Sequence, residues 1–138
     1  MRMFVLHTFL LSSMAIASDV HRTCYIKPCE IKGDFDGDNR LDTAVLVSDE
    51  QVKRGIKISF ANKKSVILGA GEPIGNGGNN FDWMDRWTLH KGKIKQGSTE
   101  PKGPPTPKGD SLLLEKMNSA SGIVYWNGSE FEWFQQGD

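Results

Sequence analysis

The sequence has little of what usually announces a catalyst. It contains three histidines, no G-x-S-x-G nucleophile elbow and no H-E-x-x-H zinc helix, so no nucleophile stands visibly beside its base. It also lacks an excess of either charge. Seventeen Lys+Arg offset seventeen Asp+Glu, which leaves no global field to draw the chain to nucleic acid or an anionic membrane. Neither a helix-length amphipathic pattern nor a long apolar run follows residue 17, so no bundle and no spanning helix is expected there. Cysteine is reduced to Cys24 and Cys29, in "CYIKPCE". An even pair this close reads as one disulfide of an oxidising compartment, whose small ring contributes about 2 kcal/mol through loop closure. A metal reading with His21 as third ligand matches no zinc spacing.

The compartment follows from the first seventeen residues. "MRMFVLHTFLLSSMAIA" carries one early positive charge, Arg2, an apolar centre, and Ala15 and Ala17 spaced as A-x-A. That is the grammar of a secretory signal peptide cleaved after Ala17. The competing reading, a membrane anchor, needs about 20 apolar residues, and this stretch is shorter and interrupted by His7 and two serines. Residues 18–138 are therefore expected to form a single exported domain, periplasmic or secreted, monomeric and without a membrane span.

What is present is strand grammar: short apolar runs bounded by Gly, Asn, Asp and Pro. Seven candidates stand out, at 41–47, 55–60, 65–68, 87–90, 111–115, 122–126 and 130–134. They predict an all-β fold, a small antiparallel domain. In "SGIVYWNGSEFEWF", Asn127-Gly128 is the preferred pair for a two-residue type I′ turn. Such a turn sets Val124 opposite Phe131 and Gly122 opposite Trp133, with Trp126 on the same core-facing side. Asn127-Gly-Ser is also a formal glycosylation sequon, although the turn alone explains it. The stretch at 91–110 holds four prolines and five lysines. Its Pro/Lys-rich part, 97–110, reads as a solvated surface loop or mobile insert.

One stretch concentrates chemistry. "GDFDGDNRLDTAVLV" places Asp34, Asp36, Asp38 and Asp42 within nine positions and runs into a β-branched strand. Carboxylates about 5 Å apart repel one another. A cation reverses that sign. In a tightly curled loop, alternate residues turn oxygens inward, the Arg40 carbonyl adds another and Asp42 closes the shell, a set of hard oxygen ligands that suits Ca²⁺ better than Mg²⁺. Gly37 and Asn39 permit the left-handed backbone such a curl needs. Two readings stand, a calcium loop and a merely acidic turn.

"DFDGDNRLD" followed by "TAVLV" resembles the calcium loop of FG-GAP or VCBS-type repeats, found in the propellers of integrin α chains. The resemblance implies that Asp34, Asp36, Asp38 and Asp42 supply side-chain oxygens to calcium and Arg40 its carbonyl. Asn39 stands where the pattern has glycine, "ILGAGEP" echoes the family's Gly-Ala-Pro signature only loosely, and there is one copy. A propeller needs at least four four-stranded blades, which this length without repeats does not supply. A stand-alone β domain bearing the loop is the expectation.

A second stretch has the composition of a contact surface. In "NNFDWMDRW", Phe81, Trp83 and Trp87 alternate with Asp82, Asp85 and Arg86 beside glycines, as in an interface hot spot or a sugar-stacking platform. The plainer reading places Trp83 and Trp87 on one face of a short helical turn packed on the sheet. The functional expectation is an exported calcium-binding module for a protein or carbohydrate ligand, an inhibitor or immunity protein among the options. The alternative is a cell-wall or carbohydrate hydrolase using Asp82 with Asp85, or Glu130 with Glu132, as its acid pair.

Overall fold

The computed structural model describes residues 19–137; the expected signal peptide lies outside them. Nine strands form two antiparallel sheets. The first sheet contains β1 (Val20–Arg22), β2 (Glu30–Gly33), β3 (Asp42–Asp49), β4 (Arg54–Ser59) and β5 (Ser65–Gly69). The second is a meander of β6 (Arg86–His90), β7 (Ser111–Lys116), β8 (Ala120–Trp126) and β9 (Phe131–Gly137). Among the described residues the helical content is two single 3-10 turns, Gly75–Gly77 and Phe81–Trp83, on the crossing between sheets.

The all-β expectation holds, and seven of the nine strands overlap the runs named from the sequence. The two additional strands are β1 and β2, both on the same edge of β3. Val20–Arg22 lies opposite residues 47–49 and Glu30–Gly33 opposite residues 42–45. Neither has an apolar alternation of its own; the eight-residue β3 is the template that makes them strands.

Alternation assigns the faces. Ala44 and Leu46 of β3, Ile56 and Ile58 of β4 and Leu68 of β5 meet Trp87 of β6, Leu112 and Leu114 of β7 and Val124 of β8 in one core, so the two sheets pack on each other. The crossing segment plugs that core with Ile74, Phe81 and Met84. Trp87 is fully buried and donates its indole N–H to the Pro28 carbonyl at 2.7 Å, which satisfies its polar atom inside the protein.

The opposite residues of the second sheet, Ile123, Tyr125 and Phe134, form a smaller core with Ile94. The stretch at 91–110 is a mostly exposed loop without helix or strand, as expected, but it is tied down. Ile94 is buried, Ser98 N–H donates to the Gln136 carbonyl, the Gln136 side-chain amide donates to the Lys95 carbonyl, and Lys108 N–H donates to the Trp126 carbonyl. Gly97 packs so close to β9 that a Cβ there would sit 1.9 Å from the Gln135 oxygen. The segment is a packed strap across the second sheet. A single apolar anchor and backbone hydrogen bonds replace the side-chain hydrophobicity it lacks.

The last hairpin also differs in detail. Its loop spans four residues, with Trp126 opposite Phe131 and Val124 opposite Trp133, instead of a two-residue turn with Val124 opposite Phe131. The Asn127 carboxamide oxygen accepts the N–H groups of Ser129 and Glu130, and Asn127 N–H donates to the Glu130 carbonyl. That local competition draws two more residues into the turn. A slip of two leaves each side chain on its expected face.

Candidate functional site: the aspartate loop and an adjoining groove

Gly33 pairs with Asp42, so residues 34–41 close the β2–β3 hairpin. Phe35 is fully buried and tethers the loop to the core. Gly37 and Asn39 adopt φ of 76° and 65°, the left-handed conformations the curl requires. Carboxylate oxygens of Asp34, Asp36 and Asp42 all lie within 4.8 Å of one another. Asp38 is not among them. Its carboxylate accepts the Arg40 backbone N–H at 2.9 Å and the Arg40 guanidinium at 2.9–3.0 Å.

The loop holds its own charges in place through backbone donors. Asp34 accepts the N–H groups of Gly37, Asp38 and Asn39 at 2.8–3.1 Å. Asp42, buried, accepts from Phe35 with one oxygen and from Ala61 with the other, at 2.8 and 2.9 Å. Asp36 receives only a long contact, 3.4 Å, from Asp38 N–H. Partial burial, followed by the Asp42 charge, pushes the Asp36 carboxyl up to about 6. The Arg40 backbone N–H, aided by its guanidinium, holds the Asp38 carboxyl below the usual range. Three hard oxygen donors that converge, one of them poorly satisfied, can hold a divalent cation.

The loop is braced by residues its own sequence does not name. Asp110 at the end of the strap accepts Asp34 N–H at 3.0 Å and returns its own N–H to the Asp34 carbonyl at 2.7 Å. Gly37 and Gly109 permit this approach: a Cβ on Gly37 would sit 2.0 Å from the Lys108 oxygen, and one on Gly109 2.2 Å from the Asp34 oxygen. The lone Asp-Ser step at 110–111 gives no local signal of a partner 76 residues away.

The second stretch divides. Phe81 and Trp87 are fully buried in the core, so their rings are unavailable to a partner: large aromatics placed beside a short turn supply apolar area the core takes up. Asp82, Asp85 and Arg86 are exposed. Asp85 accepts Met117 N–H and approaches Lys116 at 3.7 Å, while Arg86 pairs with Glu115 at 3.5 Å. Trp83 is half-buried and donates its indole N–H to the Gly77 carbonyl at 3.0 Å. Of the second acid pair, Glu130 is exposed, and Glu132 is engaged by the Tyr125 hydroxyl and the Asn127 carboxamide.

Trp83 opens onto a groove of about 630 Å³ that the sequence reading did not find. It is lined by the Asn76–Asn80 turn, Trp83 and Trp133, with Thr99, Lys116, Ser119 and Gln135. Trp83 and Trp133 meet edge to face, 6.0 Å apart at 81°. Trp133 is clamped: a Cβ on Gly122 would fall 2.0 Å from its ring, and one on Gly77 2.8 Å from it. The sequence signals were Trp83 and the Gly/Asn run at 75–80, and nothing local ties either to Trp133. Comparison with models of protein families, with curated proteins and with solved structures finds no match to this chain.

Proposed function

We propose that this protein is an exported calcium-binding β domain that works as a binding or inhibitory module, with the groove beside Trp83 as its contact surface. The observation that carries the calcium reading is the convergence of Asp34, Asp36 and Asp42 within 4.8 Å on a loop already curled by left-handed residues at positions 37 and 39. Calcium there is structural. It neutralises the loop charge, and its binding energy becomes stability of the native state by mass action. Export is supported by the Cys24–Cys29 disulfide and the signal-like leader. Among the described residues no helix is long and apolar enough to cross a membrane.

The test is calorimetric titration of the purified, chelator-stripped protein with Ca²⁺, paired with thermal melts. Saturable binding that raises the melting temperature supports the reading, with about 2.7 kcal/mol of added stability expected at a hundredfold excess over Kd. No binding at millimolar calcium reduces the loop to an acidic turn and removes calcium from the proposal.

A further inference from the structure

Asn76, Asn79, Thr99 and Ser119 line the groove and are exposed, and their side chains have no protein hydrogen-bond partner among the described residues. Amides and hydroxyls both donate and accept. They are neutral, and they share the groove lining with the half-exposed indole of Trp83. From this juxtaposition we infer that the groove binds a neutral oligosaccharide, a ligand class that deepens, and rests on, the reading of the chain as a binding module.

The chemistry of a sugar ring matches what this groove offers. Its C–H faces are apolar and its rim is a belt of hydroxyls, each both donor and acceptor. Recognition therefore needs an aromatic face ringed by neutral polar groups. Trp83 supplies the face, and its indole N–H, bound to the Gly77 carbonyl at 3.0 Å, fixes the ring's orientation. Trp133 stands at 81° to it and is held between Gly122 and the Gly75–Gly77 turn. The aromatic corner is thus set before a ligand arrives, which limits the ordering cost of binding. Gly78 has φ of 72°, and a Cβ there would meet nothing within 4 Å, so this turn presents bare backbone to a ligand. A volume of about 630 Å³ lies within the range of small-ligand clefts, ~300–1,000 Å³.

Charge decides between a sugar and a charged peptide. Among the described residues lining the groove none is a carboxylate, and the single cation, Lys116, faces Asp85 at 3.7 Å. A basic peptide finds no anionic partner there, and an acidic one finds a cation already engaged. The same lining lacks the acid pair that glycoside hydrolysis requires, so the bound sugar leaves intact.

The experiment titrates the calcium-loaded protein with a panel of neutral tetrasaccharides built from glucose, xylose, mannose or N-acetylglucosamine, followed by calorimetry and tryptophan fluorescence. A parallel selection with phage-displayed random hexapeptides uses the same protein. The expected result is saturable binding of at least one tetrasaccharide, roughly 30-fold weaker in Trp83→Ala, as for truncation of an aromatic hot spot. Because Trp83 also touches the core, a second variant, Asn76→Ala with Asn79→Ala, removes exposed groups only. It is expected to weaken binding about tenfold at an unchanged melting temperature. Sugar binding that survives both variants lies elsewhere and overturns the inference. No sugar binding, with hexapeptides selected that the Asn76/Asn79 variant loses, overturns the sugar class and leaves the binding module standing. No ligand from either panel overturns both.

Discussion

On the calcium reading proposed above, Asp36 carries opposite energetic signs in the metal-free and metal-bound protein. Its carboxyl, raised to about 6, lies above the ~3.9 of an unfolded chain. The stability linked to that shift is present below the unfolded value and lost as pH rises through the folded one. At pH 7, without a cation, the Asp36 charge therefore opposes folding, by less than about 1 kcal/mol because the group is largely screened by solvent. Asp36→Asn is expected to raise the melting temperature of the metal-free protein slightly and to abolish the stabilisation by calcium. Melts of both proteins with chelator and with calcium check the crossing; equal calcium-induced shifts in the two would remove Asp36 from the site. The inward turn of Asp34, Asp36 and Asp42 was legible because the loop's spacing and its left-handed positions are local. Asp38 looked equivalent, and only the fold shows it turned to Arg40. Asp110 was illegible, since its hydrogen bond to Asp34 spans 76 residues.

At the scale of elements, the hairpin of β8 and β9 and the strap across it fix the outer face of the second sheet. The alternation in "GIVYW" and "FEWFQ" gave the correct faces even though the register slipped by two, because side-chain direction repeats every second residue. The anchoring of this surface loop was not legible because one isoleucine among lysines and prolines carries no periodicity. Ile94 is nonetheless 4 % exposed and packed with Ile123, Tyr125 and Phe134. Ile94→Ala should cost about 2 kcal/mol, the lower end for core truncation because the cluster is small. The readouts are a lower urea midpoint and faster proteolysis within residues 95–108; an unchanged cleavage rate would mean the backbone hydrogen bonds alone hold the strap.

The same face holds a pH-sensitive pair. Burial, then hydrogen bonding to Glu132, pushes the Tyr125 hydroxyl up to about 12, and the Tyr125 hydroxyl with the Asn127 amide holds the Glu132 carboxyl below its usual range. The depressed Glu132 contributes stability above its unfolded pKa, near 4.3, and loses it as pH falls through the folded value. The raised Tyr125 contributes below pH ~10 and loses it as pH climbs toward 12. Tyr125→Phe is expected to lower stability by about 1 kcal/mol at pH 7, with the difference from the parent shrinking below pH ~4. Thermal melts across pH and an NMR titration of Glu132 test this. A Glu132 midpoint unmoved by the substitution would show that Asn127 and the Lys102 charge set it.

Over the whole molecule, the sequence revealed strands but not their division into two sheets, because that division depends on a crossing at 70–85 whose buried Ile74, Phe81 and Met84 have no regular spacing. It also hid β2. "EIKG" is too short and too polar to declare itself, and the fold holds it at both ends: Cys29 of the disulfide precedes it and Asp34 follows it. The disulfide loop is itself docked, with the Tyr25 hydroxyl donating to the Gly55 carbonyl at 2.8 Å and Arg54 stacked 4.9 Å from the Tyr25 ring. Reducing the disulfide is expected to cost about 2 kcal/mol, a fall of roughly 6 to 10 °C in melting temperature for a domain of this size. It should also loosen β2, whose last residue, Gly33, pairs with Asp42 and so fixes where Asp34 enters the loop. Since Leu46 N–H donates to the Cys29 carbonyl, the fraying that reduction permits begins one strand-length from the aspartates. If β2 is the shared element, a Cys24→Ser, Cys29→Ser variant binds calcium more weakly than the oxidised protein, roughly 3- to 10-fold, and by reciprocity loss of the disulfide costs more stability in calcium than in chelator. Titrations of the two proteins, with melts in chelator and in calcium, complete the cycle. Equal calcium affinity in both would show that the aspartate loop is held by the strap through Asp110, with β2 carrying none of the coupling.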